Sequence, residues 1–183
     1  MEWMPPKPID NKTLARAARV KLAILDIDGV MTDGSLYYGA DGEVIKVFHV
    51  LDGHGIKMLC ESNVELAIIS GRSSPAVSKR AKDLGITHCY LGAEDKGAVY
   101  RVLRESLSLK EEQVGAIGDD VVDLPILMHC GFSASVPAAP AYVQSQVHYV
   151  TAADGGRGAV REFCEIIMHA QGHLEPLLDR YSV

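Results

Sequence analysis

Short apolar runs alternate with longer amphipathic stretches along the chain. Residues 20–26 (VKLAILD) and 64–69 (VELAII) are mostly apolar segments of strand length, and 88–91, 114–117, 132–136 and 148–151 are further short strand candidates. Residues 74–84 predict a helix, with Pro75 near its first turn where a missing N–H is harmless. Residues 95–107 carry Val99, Val102, Leu103 and Leu107 at helical spacing. Residues 122–130 and 157–171 predict two more helices, the second stopped by Gly172. Strands alternating with helices predict an α/β fold, a parallel sheet with helices on both faces. One segment breaks the rhythm. Residues 35–50 (SLYYGADGEVIKVFHV) place two strand-like runs around Asp41-Gly42, a strong hairpin signal, so a β-hairpin is expected just after the first strand's loop. No repeat or linker divides the chain. It is expected to be one domain over 1–183, with an N-terminal arm and short helix at 1–19, a hairpin flap at 35–50 and a tail at 172–183.

Composition narrows the class. The chain has 183 residues, 48% of them hydrophobic and 23% charged, which suits a single globular domain. No apolar run approaches the ~20 residues of a membrane span, so no membrane partner is expected. The formal net charge is −6, with no basic block, which disfavours nucleic acid as a partner. Cys60, Cys89, Cys130 and Cys164 are widely spaced within apolar stretches. They predict buried free thiols rather than disulfides or a zinc site, and hence a cytoplasmic protein.

Ligands of open parallel sheets bind outside the carboxyl ends of the strands. The first strand ends in Asp26-Ile27-Asp28-Gly29, the next in Ser70-Gly71-Arg72, and a later one in Gly118-Asp119-Asp120, with Asp123 following; Lys96 comes shortly after the third strand. Taken singly, these are a polar loop, a turn, a surface lysine and a helix cap. Taken together they fit phosphoryl transfer. Asp26 and Asp119 side by side call for a cation, and oxygen-only ligands suit Mg²⁺. Asp26 beside the ion is placed to attack phosphorus, and Asp28 to act as general acid and base. Ser70 donates to a phosphoryl oxygen, while Lys96 neutralises charge.

The stretches Asp26-Ile27-Asp28-Gly29-Val30, Ser70, Lys96 and 118–123 (GDDVVD) resemble the four motifs of the haloacid dehalogenase-like phosphatases. Asp33-Gly34, Asp41-Gly42-Glu43, 51–56 (LDGHGI) and 155–162 (GGRGAVRE) narrow the resemblance to the 3-deoxy-D-manno-octulosonate 8-phosphate (KDO 8-phosphate) phosphatases, over residues 20–173. The resemblance implies a Rossmann-like core without a separate cap domain. It implies a phosphomonoesterase working through an aspartyl-phosphate in lipopolysaccharide sugar biosynthesis. Mg²⁺ would be held by Asp26, the Asp28 carbonyl and Asp119, with Asp120 and Asp123 supporting. It also implies substrate contacts at Asp28, His49, Val50, Leu51, Asp52, Gly53, Lys57, Arg72, Arg80 and Lys96, although Lys57 also fits a solvated helix position. Arg157 has two readings, at the carboxylate end of the pocket or capping backbone carbonyls.

By the same resemblance the enzyme is a homotetramer, with the hairpin packed between subunits and the tail directed toward a neighbour's site. Leu36, Tyr37, Val44, Val47 and Phe48 are apolar enough to favour such burial. Some members of the family carry Arg in place of Leu51 and Tyr in place of His54. Three other readings stand beside this one. A nonulosonate 9-phosphate phosphatase shares the subfamily. A signalling receiver domain places its acidic pair first and its lysine last, whereas here Asp119 to Asp123 follow Lys96. A non-catalytic oligomerisation module would not turn over substrate.

Overall fold

The computed structural model describes residues 2–181. Met1 of the expected arm, Ser182 and Val183 of the expected tail, and the side chain of Val44 lie outside the described residues. The strands are β1 (Leu22–Leu25), β2 (Tyr37–Gly39), β3 (Gly42–Ile45), β4 (Glu65–Ser70), β5 (His88–Leu91), β6 (Val114–Ile117), β7 (Phe132–Ser135) and β8 (Tyr149–Val150). The helices are α1 (Asn11–Ala17), α2 (Val50–Glu61), α3 (Pro75–Leu84), α4 (Lys96–Ser106), α5 (Leu124–Leu127), α6 (Ala141–Gln144), α7 (Ala159–Ala170) and α8 (Leu174–Asp179).

Six strands form one parallel sheet in the order β5-β4-β1-β6-β7-β8, while β2 and β3 pair antiparallel as the separate hairpin. The central strands β1 and β6 are buried along their whole length, which is why their sequences read as continuous apolar runs rather than alternating ones. The chain winds outward from β1 through β4 to β5, then returns to β6 on the other side of β1. Strand order therefore reverses beside β1, and a crevice is expected at the carboxyl ends of β1 and β6.

α7 packs on α1 and α2, and α4 packs on α5 and β4. Phe163 of α7 stacks on Phe132 of β7 with ring centroids 5.4 Å apart, at the heart of the core. α7 begins at Gly158 in the left-handed region and has no cap of its own. Asp52 of α2 supplies one from across the interface: its Oδ1 accepts from Arg161 N at 2.8 Å and its Oδ2 from Gly158 N at 3.3 Å. Glu162, also buried, accepts from the backbone N–H groups of Ala152 and Ala153 and from the Tyr149 hydroxyl. This anchors the loop that precedes α7.

The structure adds to and corrects the sequence reading. α2 has no counterpart among the predicted elements, because Gly53 and Gly55 depress helix propensity where its packing on α7 decides the outcome. The hairpin strands end at Ile45, and Val50 already opens α2. The helix predicted over 122–130 shortens to a 3₁₀ turn, Val121–Asp123, followed by α5, with Asp120 and Asp123 capturing backbone N–H groups. The expected tail folds back on its own chain. α8 buries Leu174 and Leu177, Arg180 pairs with Glu61 of α2 at 2.9 Å, and Tyr181 meets His54 edge-on. At the other end of the chain, Trp3 packs against His169 with ring centroids 4.7 Å apart and planes tilted by 41°, and donates to Glu165 Oε2 at 2.9 Å. All four cysteines are free; Cys130 and Cys164 are buried, and Cys60 and Cys89 half-buried.

Candidate active site

Asp26 is the first residue beyond β1, and its N–H bonds to the carbonyl of Ile117 on β6. The chain then makes a wide turn over Ile27–Met31, where Gly29 has φ 91°. Only glycine fits at this position, since a β-carbon would adopt a strained conformation and collide with the Asp119 carboxylate. That near-collision brings the loop after β1 against the loop after β6. Oxygens of Asp26, Asp119 and Asp123 all lie within 4.8 Å of one another.

Lys96, the first residue of α4, reaches into this group. Its Nζ lies 2.7 Å from Asp26 Oδ1 and 2.6 Å from Asp123 Oδ1, and its side chain is 3% exposed. The other oxygen of Asp123 accepts from the N–H groups of Asp119 and Asp120 at 3.1 and 3.2 Å. Asp123 thus holds Lys96 with one oxygen and the Asp119 loop with the other. Asp120 is exposed and accepts from Val121 N, so it shapes the turn from outside.

The electrostatics leave this group short of positive charge. Burial and the Asp123 charge push Asp26 up to about 7, even against the pull of Lys96. Burial, Asp123 and Asp120 push Asp119 up to about 6. Burial works against the Lys96 charge, but Asp26 and Asp123 outweigh it and hold its pKa above the ordinary lysine value. Two carboxylates with raised pKa values, facing one another through oxygen donors alone, fit a hard divalent cation such as Mg²⁺.

Ser70, at the end of β4, is 2% exposed, and its Oγ accepts from Arg72 N at 3.3 Å. Leu25 of β1 pairs with Ile68, so Ser70 lies level with the loop that follows Asp26. Asp28 faces two cations. Its Oδ1 is paired with Lys46 of the hairpin segment, and its Oδ2 lies 3.6 Å from Arg72 Nε. Lys46 was absent from the sequence reading. Its signal was weak: one lysine in an alternating strand segment, 18 residues from its partner.

The remaining predicted contacts divide. Arg80 lies over the Phe48 ring at 5.8 Å and crosses α2 at Gly53, where any β-carbon would strike its guanidinium. His49 precedes α2, with its ring 3.8 Å from Asp52. Val50, Leu51 and Lys57 are exposed on α2. Asp52 accepts from the N-terminus of α7 with both its oxygens. Among the described residues, the ion-pair partner of Arg157 is Asp33. It lies 3.7 Å from Asp33, on the rim of a cavity of about 600 Å³ that Asp119 and Gly29 also line.

Residues 93–162 match the haloacid dehalogenase-like hydrolase family. A Yersinia pestis 3-deoxy-D-manno-octulosonate 8-phosphate phosphatase is 45% identical over 168 residues, covering 92% of this chain and 90% of its own. A Moraxella catarrhalis phosphatase of the same name, solved in complex with magnesium, phosphate and KDO, is 38% identical with a TM-score of 0.91, covering 93% of this chain and 98% of its own. The cobalt-bound Haemophilus influenzae deoxy-D-mannose-octulosonate 8-phosphate phosphatase is 45% identical with a TM-score of 0.84, covering 87% of this chain and 93% of its own.

Proposed function

Since the chain belongs to the haloacid dehalogenase-like hydrolases, and among them to the KDO 8-phosphate phosphatases, we propose that its carboxylate cluster carries out phosphomonoester hydrolysis on that sugar acid phosphate. The enzyme is a Mg²⁺-dependent phosphatase of lipopolysaccharide sugar biosynthesis. One observation carries the assignment of its residues: Asp26 and Asp119, from loops 93 positions apart, converge at the switch point of the sheet with Lys96 buried between Asp26 and Asp123.

Asp26, the Asp28 carbonyl and Asp119 would hold the metal. When bound there, it would supply positive charge to the phosphate and to the facing carboxylates. Lys96 keeps one Asp26 oxygen fixed, leaving the other to attack phosphorus. The P–O bond to the sugar breaks as the Asp26–phosphorus bond forms, and Asp28 gives its proton to the departing sugar oxygen. Asp28 then takes a proton from water, whose oxygen attacks phosphorus and releases inorganic phosphate from Asp26. Ser70 donates a hydrogen bond to a non-bridging oxygen through both steps, and Lys96 offsets the charge that accumulates there. His49, Val50, Leu51, Gly53, Lys57, Arg72 and Arg80 surround the sugar acid, with the two arginines matched to its anionic and hydroxyl groups. Asp52 serves this surface only indirectly, by fixing α2 to α7.

The enzyme assembles as a homotetramer through the hairpin. Exposed Leu36, Tyr37, Ile45 and Val47 support this, being too apolar a surface for a short hairpin to leave in water. Four free thiols support a cytoplasmic location. The test is Mg²⁺-dependent phosphate release from KDO 8-phosphate, nonulosonate 9-phosphates and simple phosphate esters. The octulosonate is expected to be turned over best; parity with generic esters refutes the substrate assignment.

A further inference from the structure

Four charged side chains close a ring beside the site. Lys46 Nζ pairs with Asp28 Oδ1 and lies 2.8 Å from Glu43 Oε1. Glu43 Oε2 accepts from Arg72 Nη2 at 2.8 Å, and Arg72 Nε returns to Asp28 Oδ2 at 3.6 Å. The Tyr38 hydroxyl also accepts from Arg72 Nη2, at 3.2 Å. Glu43, Lys46 and Tyr38 all belong to the hairpin segment, so the flap contributes charge to the site and not only an apolar face. Two carboxyl groups face two cations, and each cation has a partner before any substrate arrives. Lys46 is 2% exposed and Glu43 14%, whereas Arg72, at 39%, still opens to solvent.

A sugar acid phosphate brings two anionic groups. Its phosphate goes to Asp26, which leaves its carboxylate in need of a cation. Arg72 is the exposed cation of the ring, and it already holds a carboxylate, that of Glu43. The side chain of Glu43 and the acid group of the substrate offer a guanidinium the same acceptor geometry. A cavity of about 170 Å³ adjoins Glu43, between the hairpin and the first turn of α3, lined by Lys46, Ser74, Pro75 and Ala76 among others. It gives the Glu43 carboxylate room to move aside without unfolding the hairpin.

We propose that Glu43 is a built-in stand-in for the substrate's carboxylate, holding Arg72 in the free enzyme and exchanging places with the acid group when the sugar acid binds. The inference rests on the functional reading above. It makes the hairpin a brake on carboxylate binding: an ester without a carboxylate leaves the Glu43–Arg72 pair closed, and one with a carboxylate has to open it.

The test compares KDO 8-phosphate with ribose 5-phosphate, which lacks a carboxylate, on the Mg²⁺-loaded enzyme. Glu43→Gln is expected to lower KM for the sugar acid phosphate about fivefold, the size of one partly exposed ion pair. The ratio of kcat/KM between the two substrates should shift by a similar factor toward the acid. The gain should vanish in an Arg72→Gln background, because the pair then no longer exists. Glu43→Asp keeps the charge but withdraws the carboxylate by one methylene, and it should move the ratio the same way by less. A KM that rises or stays constant in both Glu43 variants overturns the proposal, as does a gain that persists without Arg72. Failure of the unaltered enzyme to hydrolyse KDO 8-phosphate would instead overturn the functional reading, so the two failures are separable.

Discussion

Asp26 and Asp119 bind protons more tightly than ordinary aspartates because they are buried and face other carboxylates. Their pKa values near 7 and 6 stand against about 4 in the unfolded chain. The folded, metal-free protein therefore holds extra protons between those limits. The contribution of this pair to stability is fully present below about pH 4 and is lost as pH rises through 6 and 7. Mg²⁺ takes the place of those protons, so its stabilising effect grows over the same interval. Melting curves with Mg²⁺ and with chelator should diverge by about 5–10 °C at pH 8, the effect of ligand at ~100 times Kd on a chain of this size, and nearly coincide at pH 5. A pH-independent gap would refute the charge-deficient site. Asp26→Asn should reduce kcat at least ~10⁴-fold, as loss of a nucleophile does. It should also leave melting in chelator at pH 8 unchanged or higher, since it removes a buried charge without removing the hydrogen bond to Lys96; turnover above that level would refute the nucleophile. At this scale much was legible. Asp26, Asp28, Ser70, Lys96 and Asp119 each stand at or near a strand end, where a sequence pattern can place them. Lys46 and Glu43 were not, because their role depends on where a hairpin folds. Nor was the cap that Asp52 supplies to α7, because a buried helix cap and a ligand look alike in sequence.

Elements owe their positions to contacts that span them. α7 depends on Asp52 of α2 for its N-terminal cap, and Gly156 just before it donates to the Val30 carbonyl at 2.8 Å, on the turn that follows Asp26. The helix is thereby tied to both the substrate-facing helix and the catalytic turn. Asp52→Ala should cost about 1–2 kcal/mol in urea unfolding, the usual loss of a helix cap, with Asp52→Asn recovering most of it because its carbonyl oxygen still accepts. Equal losses in the two variants would refute the capping role. The strands were legible because burial on both faces makes each a continuous apolar run. α2 was not, since its two glycines sit where Arg80 and Arg161 pass close, a demand of packing that leaves no periodic trace. The short helix after Asp120 was overestimated for a related reason, as Asp120 and Asp123 divert its first N–H groups into the site.

For the molecule as a whole, the alternation of strands and helices was enough to foresee the parallel sheet, and with it the edge at which the chemistry gathers. What surrounds the sheet was harder to foresee. The tail is too short to announce itself as a helix, yet two leucines suffice to dock it on its own chain. Assembly is the property that depends on every subunit at once. If the proposed tetramer forms through the hairpin, Ile45→Asp should yield smaller species in size-exclusion chromatography with light scattering, and an unaltered chain that already runs as a monomer would refute the assembly. A last consequence concerns Trp3. It is the chain's single tryptophan, and it is seated on His169 and Glu165 by the N-terminal arm. Intrinsic indole fluorescence is therefore an optical gauge of whether that arm is docked on α7, and ion loading at the far loops has to be followed with a different signal.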